Sequence, residues 1–536
     1  MRPHPWPVQD FATLWIEYGT DRGVTSAGAP VKARIGGRRV KPNLLDYLET
    51  AAHYNANKIM FTGSVPEAIP GKPHWILAPT EGWTAESVYP RTSSAQYVRN
   101  ISGHKVYVRT AAEWFGEVRL TPEQARLCWD ALAAELRRLD PNTSMFLAPS
   151  ATGRQLWALS LPKNVDPYQV APDIADEIHS TSGQHHFEHL VAGPNFTAHE
   201  DCVPLIKPAE TARMSQFAYV DGRFMYASLC RELGIGPGRR LKQAAAYELM
   251  EEEPYSRARI RVRFQVPENW NHVGLLAVKM PGTSDHWYYP NRPGARGETW
   301  ADMSEVFVAR NAGWIIQPVE AVVFDKGRVM DTFGERINRA RERVAGNPEY
   351  NEKQKAALSA ALRAILLQAI GAFASRGPDH AVKVQSAREI PPGFKAVPYG
   401  KEYVYTVPGK LTERNREWYH PEIAAQVWGR GRAKVLSGPG AGGASTGALA
   451  VPSSTLIGIN GDAIYTTALP HWALPVRFGG ADDGKVGRLR LKGLLEGDMK
   501  IPDTLVRRDQ LRSKAEKAGP RAAYEAADDY DESGAA

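Results

Sequence analysis

The chain has 536 residues, of which 43% are apolar and 23% charged, the composition of an ordinary globular protein with room for several domains. Neither a run of about 18 apolar residues nor the apolar centre of a signal peptide in "MRPHPWPVQDFATLW" is found, so no membrane partner is expected, and three scattered cysteines (Cys128, Cys202, Cys230) fit neither a disulfide framework nor a zinc site and suit a reducing cytoplasm. Net charge is +7, with a −4 balance in the last sixteen residues and therefore +11 in the rest, a distribution that suits a polyanionic partner.

In chain order, "LLDYLETAAHYNANKIMFTG" reads as a helix and then a short strand. "TPEQARLCWDALAAELRRL" (121–139) reads as a helix with Thr121 as N-cap and Pro122 at its first position. Residues 140–220 read as loop-rich. "FAYVDGRFMYASL" then reads as strand, turn and helix start, and 255–325 is β-rich, with "RARIRVRFQV" alternating as a half-exposed strand. Two long helices follow over 330–375, expected to pair as an antiparallel hairpin. The second carries an apolar stripe of Leu358, Leu362, Ile365, Leu366, Ala369, Ile370 and Phe373. A helix after Pro421 leads to "SGPGAGGASTGA" (437–448), expected as a flexible linker. "STLIGINGDAIYTTALP" reads as a hairpin turning at Asn460-Gly461, with Asp462 at the head of its second strand. Beyond about residue 515 disorder is expected.

Two acids stand in comparable places. Asp221 ends "FAYV" and Asp462 follows "LIGING". Carboxylates at two strand ends can converge at one sheet edge, the arrangement that holds two Mg²⁺ ions in phosphoryl transfer. Basic side chains between them could meet a triphosphate. The plainer reading of Asp462 is an ordinary turn residue.

These segments resemble family B DNA polymerases. "DGRFMYASL" resembles the first palm motif, D-x-x-S-L-Y-P-S, with Asp221 at the Asp, Met225 at the Leu, Tyr226 at the Tyr and Ser228 at the Ser. "RAILLQAIGAF" resembles the fingers motif K-x-x-x-N-S-x-Y-G, with Arg363 at the Lys and Gly371 at the Gly. "NGDAIYTT" resembles the D-T-D-S hairpin, with Asp462 at the second Asp and Asn460 replacing the first. The order of motifs and the β-rich insertion resemble the protein-primed branch of phages and plasmids.

The resemblance implies an α+β multidomain chain. It implies a degenerate RNase H-like exonuclease-type domain over 1–140, then a linker and palm with β-rich insertion over 141–329, with an antiparallel sheet. Helical fingers over 330–376, the rest of the palm over 377–484, a small thumb-like segment over 485–515 and a disordered acidic tail over 516–536 complete it. It further implies Asp221 and Asp462 as catalytic ligands of two Mg²⁺ ions, and Tyr226 beneath the incoming sugar beside Met225, selecting deoxynucleotides. Arg363 would contact the dNTP triphosphate. Lys485, Arg488, Arg490 and Lys492 in "GKVGRLRLKG" would grip primer phosphates, and Gly183, in a Gly-rich segment after the exonuclease domain, would touch template. Implied partners are primer-template DNA, dNTPs and a priming terminal protein, in a bacterial host cytoplasm or nucleoid.

Departures from the pattern bear on activity. Arg363 replaces a lysine, Leu367 and Ile370 replace the Asn and Tyr of the fingers motif, and Asn460 removes one acid. In the N-terminal domain the D-x-E motif reads Trp15 and Glu17, and only Asp130 stands at a later acid position, so proofreading is not expected. Alternatives are a catalytically reduced relative that binds DNA in replication or end maintenance, and an unrelated primase-like nucleotidyltransferase. "GGADDGK" (479–485) lacks the Ser/Thr and helix of a P-loop. His179, His185, His186 and His189 lack the partners of a zinc site.

Overall fold

The computed structural model describes residues 11–524 except 68, 70–73, 79, 90–92, 168, 183–187, 191–198, 207–211, 254–256, 281–286, 378, 400 and 522. It divides into two compact units, Met1–Asp166 with Thr332–Tyr419, and Pro167–Asp331 with His420–Ala536.

The first unit is built on a seven-stranded mixed sheet. Strand Thr13–Glu17 pairs parallel with Lys58–Thr62, which pairs parallel with Lys105–Thr110. Antiparallel strands extend both edges. Helix Pro122–Leu139 covers one face, started by Thr121, whose hydroxyl accepts from Gln124 N while Gln124 returns the bond. The N-cap expected at Thr121 is present, and Gln124 makes it reciprocal. "PSATGRQLWALS", within the stretch read as loop-rich, is instead the helix Pro149–Ser160.

The apolar stripe of helix Glu352–Phe373 is buried along its length. By length and composition this helix could cross a membrane, but here its main neighbours are the helices Pro149–Ser160, Ala112–Phe115 and Pro122–Leu139. Gly153 allows the close crossing, because a Cβ there would lie 2.5 Å from the Ile365 carbonyl oxygen. This corrects the expected helical hairpin. Helix Asp331–Gly346 makes few contacts with its successor. It is instead tied by Arg343 to Glu135 at 3.1 Å and by Arg336 to Asp140 at 3.5 Å. The stripe matches a face of the N-terminal helices better than it matches "DTFGERINRARERVAG", whose surface is largely charged.

The second unit carries two antiparallel sheets. A four-stranded sheet has the order Gly234–Lys242, Ile315–Lys326, Ala258–Gln265, Arg296–Asp302. Strand Ala258–Gln265 departs from simple alternation at Arg259, which is buried and donates to the Thr181 carbonyl at 3.1 Å. The five-stranded sheet has the order Leu489–Lys500, Arg213–Gly222, Ala463–Thr466, Leu456–Asn460, Glu188–Leu190.

Helix Pro421–Leu436 runs into the glycine-rich stretch expected as a flexible linker. That stretch is an ordered small hairpin in which Gly438 pairs with Thr446 and the Thr446 hydroxyl donates to the Gly438 carbonyl at 2.8 Å. Within the segment expected as a thumb, strand Leu489–Lys500 edges the sheet and helix Leu505–Ala518 packs on it. That helix runs three residues past the boundary expected at 515. "GGADDGK" is followed by this strand, not by the helix a P-loop needs. Gly183, His185 and His186 lie outside the described residues, as do the side chain of His189 and residues 525–536 of the tail.

Candidate active site

The site is assembled at one end of the five-stranded sheet. Asp221 is the penultimate residue of strand Arg213–Gly222. It stands opposite Ala463 on one side and Arg490 on the other. Asp462 therefore immediately precedes the residue paired with Asp221. Asn460 pairs with Ala463, so the hairpin loop is Gly461-Asp462, one residue later than Asn460-Gly461. Gly461 takes the positive φ, +56°, that a tight hairpin asks of its first loop residue.

The two acids are locked together through backbone. Gly222 N donates to the Asp462 carbonyl at 3.1 Å. A Cβ at Gly222 would stand 3.2 Å from Asp462 Oδ2 and 2.6 Å from Met225 Cε. Only glycine leaves the Asp462 carboxylate room to lie over the backbone that carries Asp221.

After Gly222 the chain turns sharply through Phe224, whose φ of +47° is unusual for a bulky residue. Helix Met225–Leu229 follows and buries Met225 and Tyr226. The Tyr226 hydroxyl lies 3.8 Å from where a Cβ on Gly461 would be. The Asp462 carboxylate thus lies beside Gly222, the residue after Asp221, and the Tyr226 hydroxyl lies beside Gly461, the residue before Asp462.

Asp221 has cationic neighbours. Asp221 is 3% exposed, and Lys492 Nζ lies 3.1 Å from its Oδ2. The same ammonium reaches Glu516 at 2.9 Å and the Tyr219 hydroxyl at 3.3 Å. Burial, then the Asp221 charge, pushes the Tyr219 phenol upward. Burial, then the neighbouring Arg223 charge, lowers Arg490. Arg488 donates to Asp483 at 2.9 Å, and Lys485 reaches the same carboxylate at 3.3 Å. The Arg488 hydrogen bonds hold the Asp483 carboxyl well below its usual range.

Three further residues belong here that motif reading did not single out. Arg223 donates to the buried Asp482 at 2.7 Å. Lys434, from helix Pro421–Leu436, donates to the Ser228 hydroxyl at 3.4 Å. Its ammonium is lowered by burial and then by Arg488. The only hint in the sequence is a basic last helical turn, a common end signal. Arg363 is half-buried on helix Glu352–Phe373 of the first unit.

Among the described residues, no three His, Cys, Asp or Glu side chains gather as a metal cage. Two oxygen-donor carboxylates at one sheet end, with glycine clearing the space beside them, do fit Mg²⁺. That ion takes one or two carboxylates and completes its shell with waters and substrate phosphates.

In the first unit, Trp15 is buried and meets Trp129 edge-on, with ring centroids 5.6 Å apart. Glu17 is exposed at the end of its strand. Asp130 is bound by Arg126 at 2.9 Å. Among the described residues, Glu17 and Asp130 belong to no cluster of three His, Cys, Asp or Glu side chains.

No family profile and no curated protein matches the sequence. Solved structures do match. Phi29 DNA polymerase in an orthorhombic crystal form aligns with a TM-score of 0.52 at 9% identity, over 91% of this chain and 85% of that one. Phi29 DNA polymerase complexed with primer-template DNA, in a post-translocation binary complex, aligns at 0.52 and 11% identity over the same shares, 91% and 85%. The ternary complex with primer-template DNA and incoming nucleotide substrates gives 0.51 and 10%, again covering 91% and 85%. At such identity the likeness is one of fold, and the chain has a distant DNA-polymerase-like, α+β multidomain fold.

Proposed function

We propose that this protein carries out template-directed DNA synthesis, transferring a nucleotide from a dNTP to a primer 3′-hydroxyl. The observation that carries the reading is the pairing of Asp221 with Ala463, which sets Asp462 beside it, together with Tyr226 at the same turn. The polymerase-like fold supports it.

In this reading Asp221 and Asp462 would hold two Mg²⁺ ions. Those ions would supply Lewis acidity toward phosphate oxygens and toward the attacking hydroxyl. The protein's own part is positional and electrostatic. Tyr226 and Met225 form a buried floor for the sugar. Lys492, Arg490 and Lys434 set a positive field near developing phosphate charge. Lys485 and Arg488, and Gly183 outside the described residues, are proposed contacts to DNA phosphates and template. Arg363 is a proposed triphosphate contact. The sheet order of the first unit supports a degenerate exonuclease-type domain, and Trp15 at the first acid position supports synthesis without proofreading. Protein priming in a bacterial phage or plasmid setting belongs to the same proposal.

Primer extension tests it. Wild type should extend an annealed primer with Mg²⁺ and dNTPs, and Asp221→Asn and Asp462→Asn should each abolish extension while remaining folded. A folded wild type that binds primer-template yet adds no nucleotide would refute synthesis. The second reading, a DNA-binding relative with reduced catalysis, would then stand. It is favoured by Lys492 seated on Asp221 and by Asn460 in place of an acid.

A further inference from the structure

Strand Leu489–Lys500 pairs with Arg213–Gly222 through a register shift beside the site. Leu491 stands opposite Val220 and Gly493 opposite Tyr219, so Lys492 is the extra residue of a β-bulge. A bulge re-aims a side chain that regular alternation would send elsewhere. The bulged ammonium has three hydrogens to donate and three partners. Asp221 Oδ2 lies at 3.1 Å, Glu516 Oε1 at 2.9 Å and the Tyr219 hydroxyl at 3.3 Å.

Glu516 reaches this lysine from a helix that is pinned to the bulge. A Cβ on Gly493 would lie 2.1 Å from the Ala515 carbonyl oxygen, so helix Leu505–Ala518 crosses the strand at a distance only glycine admits. Ala515 is buried at that crossing. Just past the helix end, the Gly519 carbonyl accepts from Leu494 N at 3.1 Å. Lys492 precedes Gly493 and Glu516 follows Ala515. The contact that fixes the two backbones therefore also fixes the carboxylate against the ammonium.

The two carboxylates that share Lys492 sit in different surroundings. The Asp221 side chain is 5% exposed and that of Glu516 is 43% exposed. An ammonium that leaves Asp221 for Glu516 moves toward water and keeps a counter-charge. The buried carboxylate it leaves is costly without a cation, so the move is favourable only when another cation takes its place.

We propose that Glu516 is a positioning residue that takes over the Lys492 ammonium when a divalent metal ion arrives at Asp221. The inference rests on the reading of Asp221 as a Mg²⁺ ligand and deepens it. Lys492 neutralises Asp221 when no metal is bound, and Glu516 gives the displaced lysine a partner already in place. Without the Glu516 charge, Lys492 stays on Asp221 and the metal competes against an undivided ion pair.

Mn²⁺ binding to the full chain, without DNA or nucleotide and followed by the electron paramagnetic resonance signal of free Mn²⁺, tests the proposal. Mn²⁺ suits the same oxygen donors as Mg²⁺. Wild type should bind Mn²⁺ at a site that Asp221→Asn removes. Glu516→Gln, at an exposed position, should weaken that binding severalfold. In a Lys492→Met background the same Glu516→Gln change should have no effect, because Glu516 acts through the lysine. Lys492→Gln serves as the background if Lys492→Met does not fold. Unchanged Mn²⁺ affinity in Glu516→Gln would overturn the proposal. So would a loss of equal size with and without Lys492, which would make Glu516 a direct contributor of negative charge. If wild type binds no Mn²⁺ that depends on Asp221, the metal reading of Asp221 fails first and this inference falls with it.

Discussion

Lys492 Nζ lies 3.1 Å from Asp221 Oδ2. The pair is nearly buried on the acid side and half-buried on the lysine side. Because the ammonium also reaches Glu516, it has a second carboxylate to which it can move its weight. Lys492 therefore compensates the Asp221 charge in a sheet end where water reaches little of it, and it competes with any other cation there.

Lys492→Met should lower stability, since it strips a charged hydrogen bond from a buried carboxylate, by about 2 kcal/mol. If Asp221 takes a divalent cation, the same variant should need severalfold less Mg²⁺ for half-maximal primer extension. Urea denaturation and a Mg²⁺ titration of extension check the two halves. A higher Mg²⁺ requirement would show that Lys492 helps the metal site instead of competing with it.

Gly222→Ala should be harmful out of proportion to its size. The new methyl would stand 2.8 Å from Met225 Cβ and 3.2 Å from Asp462 Oδ2. Overpacking of this kind costs about 1–3 kcal/mol. It would also push the hairpin carboxylate off the strand that carries Asp221. Extension by Gly222→Ala should fall at least about tenfold, equivalent to ~1.4 kcal/mol of barrier, with primer-template affinity little changed. Equal extension by the variant would mean that the Asp462 carboxylate does not need its present place.

His272 makes stability depend on pH with a definite sign. Its Nδ1 accepts from Val273 N at 2.8 Å, and Nε2 lies 2.9 Å from the Val451 carbonyl. That arrangement requires the neutral ring with its proton on Nε2. Burial lowers its pKa below the ordinary 6.5, partly offset by the Val451 hydrogen bond. The unfolded chain then binds the proton more readily than the folded one. The stability His272 contributes is present above pH 6.5 and is lost as pH falls through the lowered folded value. His272→Gln should flatten the slope of unfolding free energy below pH 6.5, measured by urea denaturation at a series of pH values. An unchanged slope would assign the acid sensitivity to other groups.

The sequence was most readable where one element carries its own signal. The stripe from Leu358 to Phe373 marked a buried helix face, and Thr121 with Pro122 marked a helix start. The placement of Asp221 at a strand end, Asp462 in a hairpin loop and Tyr226 in the helix after the first strand was legible because each segment carries its own strand, turn or helix signal. What remained hidden depends on partners distant in sequence. The Arg223 bond to Asp482 joins residues 259 positions apart, and no local pattern announces it. The 437–448 stretch reads as a linker by composition, yet it is ordered by backbone pairing of Gly438 with Thr446, by the Thr446 hydroxyl and Arg488 bonding the Gly438 and Pro439 carbonyls, and by glycines at positive φ, Gly442 and Gly443. The direction in which the apolar stripe of helix Glu352–Phe373 faces was likewise unreadable. Gly153, the residue that admits the neighbouring helix, lies some 200 positions away in a segment that looked like loop.

Excision of mismatched primers should be absent, and restoring one acid should not bring it back. Trp15 is 1% exposed and packed against Trp129. Lys58, which pairs across the sheet with Thr13, lies with its ammonium 4.1 Å from the Trp129 ring centroid. Trp15→Asp would remove a large core side chain and bury a carboxylate, at a cost of about 3–5 kcal/mol from lost packing alone. The new acid would have Lys58 near it, a counter-charge that satisfies it without a metal. Glu17, though on the same face, is exposed, and Asp130 is already bound by Arg126. Wild type and Trp15→Asp should both leave a 3′-mismatched, labelled primer uncut in Mg²⁺ or Mn²⁺, while Trp15→Asp melts at lower temperature. Release of the terminal nucleotide by wild type would show that acids from elsewhere complete a nuclease site in this unit.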